Sequence, residues 1–307
     1  MMEEFGIKAS ETFGDVLYMT PVIAYMSRCH NKKFHIETIF PEIFKNNPYV
    51  EKIYNTKNGE FFPDDIIVYD AGKIFKGDLF RQRKMHSIDF WSSNLGFILS
   101  PKEKTLLFYP DELDIELPNG RYVVINPSVT TTCRTWDKNK WENLIDMILT
   151  TDTKVVVVGK EIKYDHDFNR GVMRVGGNKV IDLIDKLNTS QLWHIIHNSF
   201  AIFTMNAGLW PFAGTTDTNI IAMGSTFNPY YRAPYRNGSQ DYKHYFVGGE
   251  CKIFCHTDMK YNSSGDIKVT GGFPKAKCFE NKLTYECHPN EENVFNLFLK
   301  LLIDNKK

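Results

Sequence analysis

The sequence predicts an α/β protein built from two doubly wound domains in tandem. Three observations carry this. Short β-branched or apolar runs recur along the chain, and segments of helical period separate them. A turn-rich break from residue 109 to 120 interrupts the pattern, after which the same grammar restarts. The length, 307 residues, suits about two domains.

In the first half, Gly14-Asp15 precedes a mostly apolar helix over residues 16–26, and Pro21 inside it predicts a late start or a kink. Residues 34–40 alternate apolar and polar, the period of a strand. Residues 41–50 read as a short helical piece ending at Asn46-Asn47-Pro48. Ile66-Ile67-Val68-Tyr69 reads as a buried strand closed by Asp70-Ala71-Gly72. The break at 109–120 is rich in proline, acids and turn formers and is the expected linker. The expected domains are 1–117 and 118–307, the second ending in a cysteine-rich segment, 251–287, and a C-terminal helix.

The second half is cleaner. Tyr122-Val123-Val124-Ile125-Asn126 is a strand. Trp141, Leu144, Ile145 and Ile148 fall at i, i+3, i+4 and i+7, one face of a helix. The valine run 155–158 ends in Gly159 and reads as a central parallel strand. Leu192, Ile195 and Ile196 mark a helix, 201–205 a strand, and Asn206-Ala207-Gly208 a turn into another helix. Residues 219–223 form the next strand and 291–303 a final amphipathic helix. Alternating strands and helices imply right-handed crossovers. Two such domains face a cleft at the carboxyl ends of their strands, where open α/β sheets bind ligands. Helix N-termini there offer backbone N–H groups to a phosphate.

Composition narrows the function classes. With 42% hydrophobic and 24% charged residues, disordered and collagen-like readings are excluded. Basic and acidic residues balance at 37 each, so no global field draws the chain to nucleic acid or anionic membrane, although a local basic groove stays open. No run approaches the roughly 18 apolar residues of a membrane span. Met1-Met2-Glu3-Glu4-Phe5 lacks the marks of a secretory signal, so a cytoplasmic protein with no membrane span is expected.

Four stretches are candidates for chemistry. Asp15 starts a helix beside the expected cleft, where a carboxylate can accept a proton from a substrate hydroxyl; the plainer reading is a helix N-cap. Asn126-Pro127-Ser128-Val129-Thr130-Thr131-Thr132-Cys133-Arg134 follows a strand, and its hydroxyls and arginine fork suit a diphosphate. Asn206-Ala207-Gly208-Leu209-Trp210-Pro211 sits at a strand-to-helix junction, with Pro211 in the first turn. Phe227 to Arg236 interleaves aromatics with arginine, which suits a donor pocket, a subunit interface or single-stranded nucleic acid, in that order. No dinucleotide fingerprint, P-loop or zinc-protease motif is present. His194 and His197 share a helix without a third ligand nearby in sequence and read as structural.

These pieces, in this order, resemble the heptosyltransferases, which move heptose from ADP-heptose in lipopolysaccharide assembly. The resemblance runs through Gly14-Asp15-Val16-Leu17 with Thr20-Pro21-Val22, then Asn46-Asn47-Pro48-Tyr49-Val50 and His86-Ser87-Ile88-Asp89 with Leu95-Gly96. It continues in Asn126-Pro127-Ser128, Arg134-Thr135-Trp136, Trp141, Leu144 and Ile145, and ends in Asp182-Leu183 to Leu187 and Asn206-Ala207-Gly208. It implies the GT-B fold, two Rossmann-like domains with the acceptor side first and the nucleotide-sugar side second. It also implies an inverting transfer that needs no metal or other cofactor, from a nucleotide-sugar donor, expected to be ADP-linked, to a carbohydrate, protein or modified-DNA acceptor. By position Asp15 is the general base. Arg134 stands where the family usually carries a lysine on the donor phosphates. Thr130 and Thr131 fall near its phosphate-contacting hydroxyls, Glu161 near the acid that holds the donor ribose, and Asn206, Ala207 and Gly208 on the diphosphate loop. The chain departs from the family at Asn206, usually aspartate, and at Pro211, usually histidine.

Of six cysteines, Cys29 and Cys133 stand apart, while Cys251, Cys255, Cys278 and Cys287 crowd into 37 residues as C-x3-C and C-x8-C. In a cytosolic chain four clustered thiols point to a tetrahedral zinc or iron, with free or paired thiols as the alternative. Relatives that modify autotransporter proteins hold iron in such a finger. Two rival functions remain at this stage: a phage-type transfer to hydroxymethylated DNA bases, and a non-catalytic module that binds sugar nucleotides or proteins.

Overall fold

A computed structural model describes residues 5–9, 12–71, 73, 85–129, 134–161, 163–164, 169–224, 227–251, 254 and 286–304. The chain forms two compact units. The first comprises Met1–Leu113 with Tyr230–Tyr242, the second Asp114–Pro229 with Lys243–Lys307. A single cut in the sequence does not divide them, because 230–242 belongs to the first unit.

The first unit contains β1 (Phe5–Lys8), α1 (Phe13–His30), β2 (Phe34–Thr38), β3 (Val50–Asn55), β4 (Ile67–Asp70) and α2 (Ser87–Asn94). Its sheet is parallel, in the order β3-β2-β1-β4. The strand order therefore reverses between β1 and β4. α1 begins at Phe13 on the N-cap Thr12 and ends where Asn31 adopts a left-handed conformation and donates its N–H to the Arg28 and Ser27 carbonyls.

Pro21 neither delays nor breaks α1, against the sequence expectation. Proline has no N–H for the carbonyl four residues back, that of Leu17. The Thr20 hydroxyl donates to that carbonyl at 2.8 Å and accepts the Leu107 N–H at 3.1 Å. The orphaned acceptor is thus satisfied locally.

Two further expectations are corrected here. The strand at 66–69 is β4, an edge of the described sheet, and Ile67 and Val68 are each 43% exposed rather than buried. The helical piece at 41–50 shrinks to one 3-10 turn, Pro41–Ile43.

The second unit contains β5 (Tyr122–Asn126), β6 (Ser128–Val129), α3 (Lys138–Leu149), β7 (Lys154–Val157), β8 (Lys163–Tyr164), β9 (Asn169–Val172) and β10 (Ile181–Asp182). Then follow α4 (Thr189–His197), β11 (Ala201–Thr204), α5 (Leu209–Ala213), β12 (Asn219–Met223), β13 (His244–Val247) and α6 (Glu291–Asp304). Six strands form a parallel sheet, β10-β7-β5-β11-β12-β13. In order of appearance within the sheet this is 3-2-1-4-5-6, the doubly wound nucleotide-binding order. β5 and β11, its central pair, are buried along their whole length. β6, β8 and β9 make a separate antiparallel ribbon.

The apolar stripe of α3 (Trp141, Leu144, Ile145, Ile148) packs into the core with Val294, Phe298, Leu301 and Leu302 of α6. Trp136 stands edge-on to Trp141 with centroids 4.8 Å apart and donates its indole N–H to the Pro289 carbonyl at 2.9 Å. These contacts tie the C-terminal helix to the central sheet. Among the described residues no helix is long and apolar enough to cross a membrane.

Candidate active site

Parallel sheets bind ligands at the carboxyl ends of their strands, where the order reverses. In the first unit that place is the end of β1, and the chain leaving it starts α1. Asp15 is the third residue of this helix, so its carboxylate favours the positive end of the helix dipole. It is not the N-cap. Thr12 caps the helix, its hydroxyl oxygen accepting the Asp15 N–H at 3.4 Å. The same hydroxyl donates to Asp15 Oδ2 at 2.6 Å. No hydrogen bond among the described residues reaches Asp15 Oδ1.

One turn further on, buried Tyr18 donates its hydroxyl to the Arg232 carbonyl. Burial pushes the Tyr18 phenol far above its usual range, and the Asp15 charge adds to the rise against the opposing pull of Arg232. Arg232, also buried, donates from Nη1 to Ser87 Oγ and to the Tyr231 carbonyl, each at 2.9 Å. Burial lowers the guanidinium pKa, while Tyr18 and Asp15 raise it. His86 caps α2 through Nδ1, which accepts the Ile88 N–H at 3.2 Å, and its Nε2 lies 2.9 Å from the Ala233 carbonyl. Burial drives this imidazole down to about 4. The sequence does not single out Thr12 or Tyr18, and it offers Arg232 only within the 227–236 stretch as a donor-pocket candidate. The i, i+3 spacing of Thr12, Asp15 and Tyr18 was the available signal.

In the second unit the reversal falls between β5 and β11. Arg134 follows β5 and Asn206 follows β11, and the structure joins them. Arg134 Nη1 donates to the Asn206 carbonyl at 3.4 Å, and the guanidinium lies 5.6 Å from the centre of the Phe227 ring. Asn206 is 8% exposed, and its Nδ2 has no hydrogen-bond partner among the described residues. The strand ends beneath are knitted by Asn126, whose Nδ2 donates to the Val158 carbonyl at 3.2 Å, and by the Thr204 hydroxyl, 3.4 Å from Asn126 Oδ1. Gly159 passes here with φ +139°, and a Cβ at this position would lie 2.3 Å from Val172 Cγ1. Only glycine lets the chain end β7 so close to the ribbon.

The other expected donor residues are placed as follows. Thr130 and Thr131 lie outside the described residues. Ala207 bends the chain, its N–H donating to the Met205 carbonyl at 2.8 Å. Gly208 is the N-cap of α5, but that helix has five residues and only a small dipole, so the expected helix-end anion site is weak. Glu161 is exposed and engaged: Arg174 Nε donates to it at 3.1 Å and Arg174 Nη1 to Asp182 at 2.5 Å. The aromatic stretch is divided. Phe227 serves Arg134, whereas Arg232 and Arg236 are buried in the first unit and bind backbone carbonyls, which removes both from phosphate contact.

The Cys251 N–H donates to the Glu286 carbonyl at 3.1 Å, and the Gly249 N–H to the Cys287 carbonyl at 3.0 Å. Cys251 and Cys287 therefore sit on paired backbone segments. Cys255 and Cys278 lie outside the described residues. Among the described residues no group of three or more His, Cys, Asp or Glu side chains could hold a metal.

Residues 99–243 match the profile of glycosyltransferase family 9 (heptosyltransferase). The match covers just under half of the chain and supports a heptosyltransferase-like reading of it. The chain is accordingly a glycosyltransferase. The matched span holds Arg134, Glu161 and Asn206–Gly208; Asp15 and the clustered cysteines lie outside it.

Solved structures agree in fold. The iron-containing dodecameric glycosyltransferase TibC of enterotoxigenic E. coli is 16% identical, with TM-score 0.70 over 99% of this chain and 78% of that one. A family 9 glycosyl transferase from Veillonella parvula is 12% identical, with TM-score 0.64 over 98% of each chain. The E. coli ADP-heptose lipopolysaccharide heptosyltransferase II is 10% identical, with TM-score 0.57 over 99% of this chain and 100% of that one. At these identities the likeness is one of fold, that of a GT-B glycosyltransferase with two Rossmann-like domains. No curated protein sequence matches the chain.

Proposed function

We propose that this enzyme is a cytoplasmic, inverting transferase that moves a heptose-like sugar from an ADP-linked donor to an acceptor hydroxyl. The observation that carries the reading is the meeting of Arg134 and Asn206 at the β5/β11 reversal, beside the Phe227 ring. A cation held at a switch point of this strand order suits a nucleoside diphosphate. Support comes also from relatives: TibC has been solved in complex with ADP-D-β-D-heptose, and the E. coli heptosyltransferase WaaC with ADP.

In this reading Arg134, Thr130, Thr131, Ala207, Gly208 and the Asn206 amide bind the diphosphate. The unpartnered Asn206 Nδ2 is a ready donor to a phosphate oxygen. Glu161 takes the donor ribose once it releases Arg174. The acceptor oxygen attacks the anomeric carbon from the face opposite the diphosphate. As the new carbon–oxygen bond forms, the bond to the diphosphate breaks and its electron pair leaves with ADP. Asp15 takes the acceptor proton, a step worth on the order of 10²–10⁴-fold in rate. Arg134 stabilises the charge that grows on the leaving group. The four clustered cysteines would hold a structural zinc or iron, and no step of transfer runs through it.

The test is Asp15→Asn. ADP release from ADP-heptose is expected to fall at least about 100-fold while ADP binds as before. A variant that keeps a near-normal rate removes Asp15 from the reaction.

A further inference from the structure

A carboxylate that acts as a base must present one oxygen to the substrate and keep it there. Asp15 sits in the first turn of α1, and free rotation about its side-chain bonds would spread both oxygens over several directions. The structure removes that freedom through one neighbour. Thr12 Oγ1 stands 2.6 Å from Asp15 Oδ2 and 3.4 Å from the Asp15 backbone nitrogen. The hydroxyl has a single proton. The backbone N–H has to use the oxygen's lone pair, so the proton goes to the carboxylate. One threonine thereby grips Asp15 at both its main chain and its side chain, and Oδ1 is the oxygen left for chemistry.

Resting on the reading of Asp15 as the base, we propose that Thr12 is its positioning residue: the hydroxyl holds Oδ2 so that Oδ1 receives the acceptor proton. The hydroxyl keeps its own proton throughout. The proton moves from the acceptor oxygen to Oδ1, and the neutral carboxylic acid then releases it to water after ADP departs.

Thr12 is also the helix cap, so the test must separate capping from positioning. Glycine keeps most of the cap strength of threonine but has no hydroxyl, and serine keeps both. Thr12→Gly and Thr12→Ser are compared with wild type and with Asp15→Asn by ADP release from ADP-heptose, water standing in for the acceptor. Thr12→Gly is expected to lose about 10–100-fold in kcat, with KM for ADP-heptose and melting temperature little changed, an effect of misplacement by roughly an ångström. Thr12→Ser is expected to restore kcat to within about twofold of wild type, because the same hydroxyl is present.

The outcomes separate the two readings. Wild type that releases no ADP, or Asp15→Asn that releases it normally, overturns the assignment of the base and this inference with it. Inactive Asp15→Asn beside fully active Thr12→Gly overturns only the positioning role. A loss in Thr12→Gly that follows a lower melting temperature, or that Thr12→Ser fails to rescue, shows a cap and nothing more, and also overturns it.

Discussion

The hydroxyl of Tyr18 donates a hydrogen bond to the backbone carbonyl of Arg232, 214 residues further along the chain. Both residues are buried, and Tyr18 lies one helical turn beyond Asp15. The bond fastens the returning segment 230–242 to α1, while His86 fastens it to the start of α2. Tyr18→Phe keeps the ring and its edge-on contact with His86 but removes this buried hydrogen bond. A typical intramolecular hydrogen bond contributes about 0.5–1.5 kcal/mol. The variant is therefore expected to melt a few degrees lower in calorimetry while binding ADP normally, since Arg134 and Asn206 belong to the other unit. An unchanged melting temperature would show the bond to be dispensable.

His86 makes the fold sensitive to acid. Its Nδ1 accepts an N–H, so the neutral ring carries its proton on Nε2 and gives it to the Ala233 carbonyl. A second proton has nowhere to go without breaking the cap of α2. Burial holds this group at about 4, against the aid of the Ala233 carbonyl and Asp89 to the charged form. An unfolded histidine titrates near 6.5. Between those two values the unfolded chain binds a proton that the folded chain does not. Stability from this group is thus complete above about pH 6.5 and is lost as pH falls toward 4, by about 3 kcal/mol in all. Melting temperatures across that window should fall steeply in wild type and less in His86→Asn, which still caps the helix but does not titrate. Parallel curves for the two proteins would contradict this.

The second unit was more legible in sequence than the first, for physical reasons. Its central strands are buried on both faces, so Tyr122 to Ile125 and Ala201 to Phe203 are unbroken apolar runs. α3 packs one face on the core, so Trp141, Leu144, Ile145 and Ile148 show the helical period. β4 is an edge with half-exposed Ile67 and Val68, and its apolar letters read as buried. Pro21 was misread because the repair, the Thr20 hydroxyl on the Leu17 carbonyl, is a side-chain contact that no periodicity records. The site shows the same split. Strand-to-turn junctions mark Asp15, Arg134 and Asn206 as candidates. The β12–β13 connection, by contrast, runs through the first unit and takes Arg232 and Arg236 with it, a tertiary fact invisible to local composition.

In the proposed function Arg134 is the clearest handle on the donor. Its fork is already aligned by the Asn206 carbonyl and the Phe227 ring, so little ordering remains when an anion binds. Arg134→Ala removes charge-assisted hydrogen bonds worth about 1.5–3 kcal/mol, and the Kd for ADP in titration calorimetry should rise roughly 10–100-fold. Arg134→Lys keeps the charge without the planar fork and should fall between the two. An unaltered Kd in Arg134→Ala would take this residue out of the diphosphate clamp.

The paired backbone at Cys251 and Cys287 gives the proposed metal a structural meaning. Hydrogen bonds from Cys251 to Glu286 and from Gly249 to Cys287 join the chain just after β13 to the chain just before α6. α6 places Val294, Phe298, Leu301 and Leu302 in the core. A tetrahedral thiolate site across this junction would hold the helix to the sheet edge, and thiolates favour zinc or iron. Elemental analysis of purified protein is expected to find about one such ion per chain. Cys287→Ser should lower that content and the melting temperature together, as a strong chelator should in wild type, because binding energy of a structural metal is folding energy. Protein purified without zinc or iron, and indifferent to the chelator, would leave the cysteines as plain thiols.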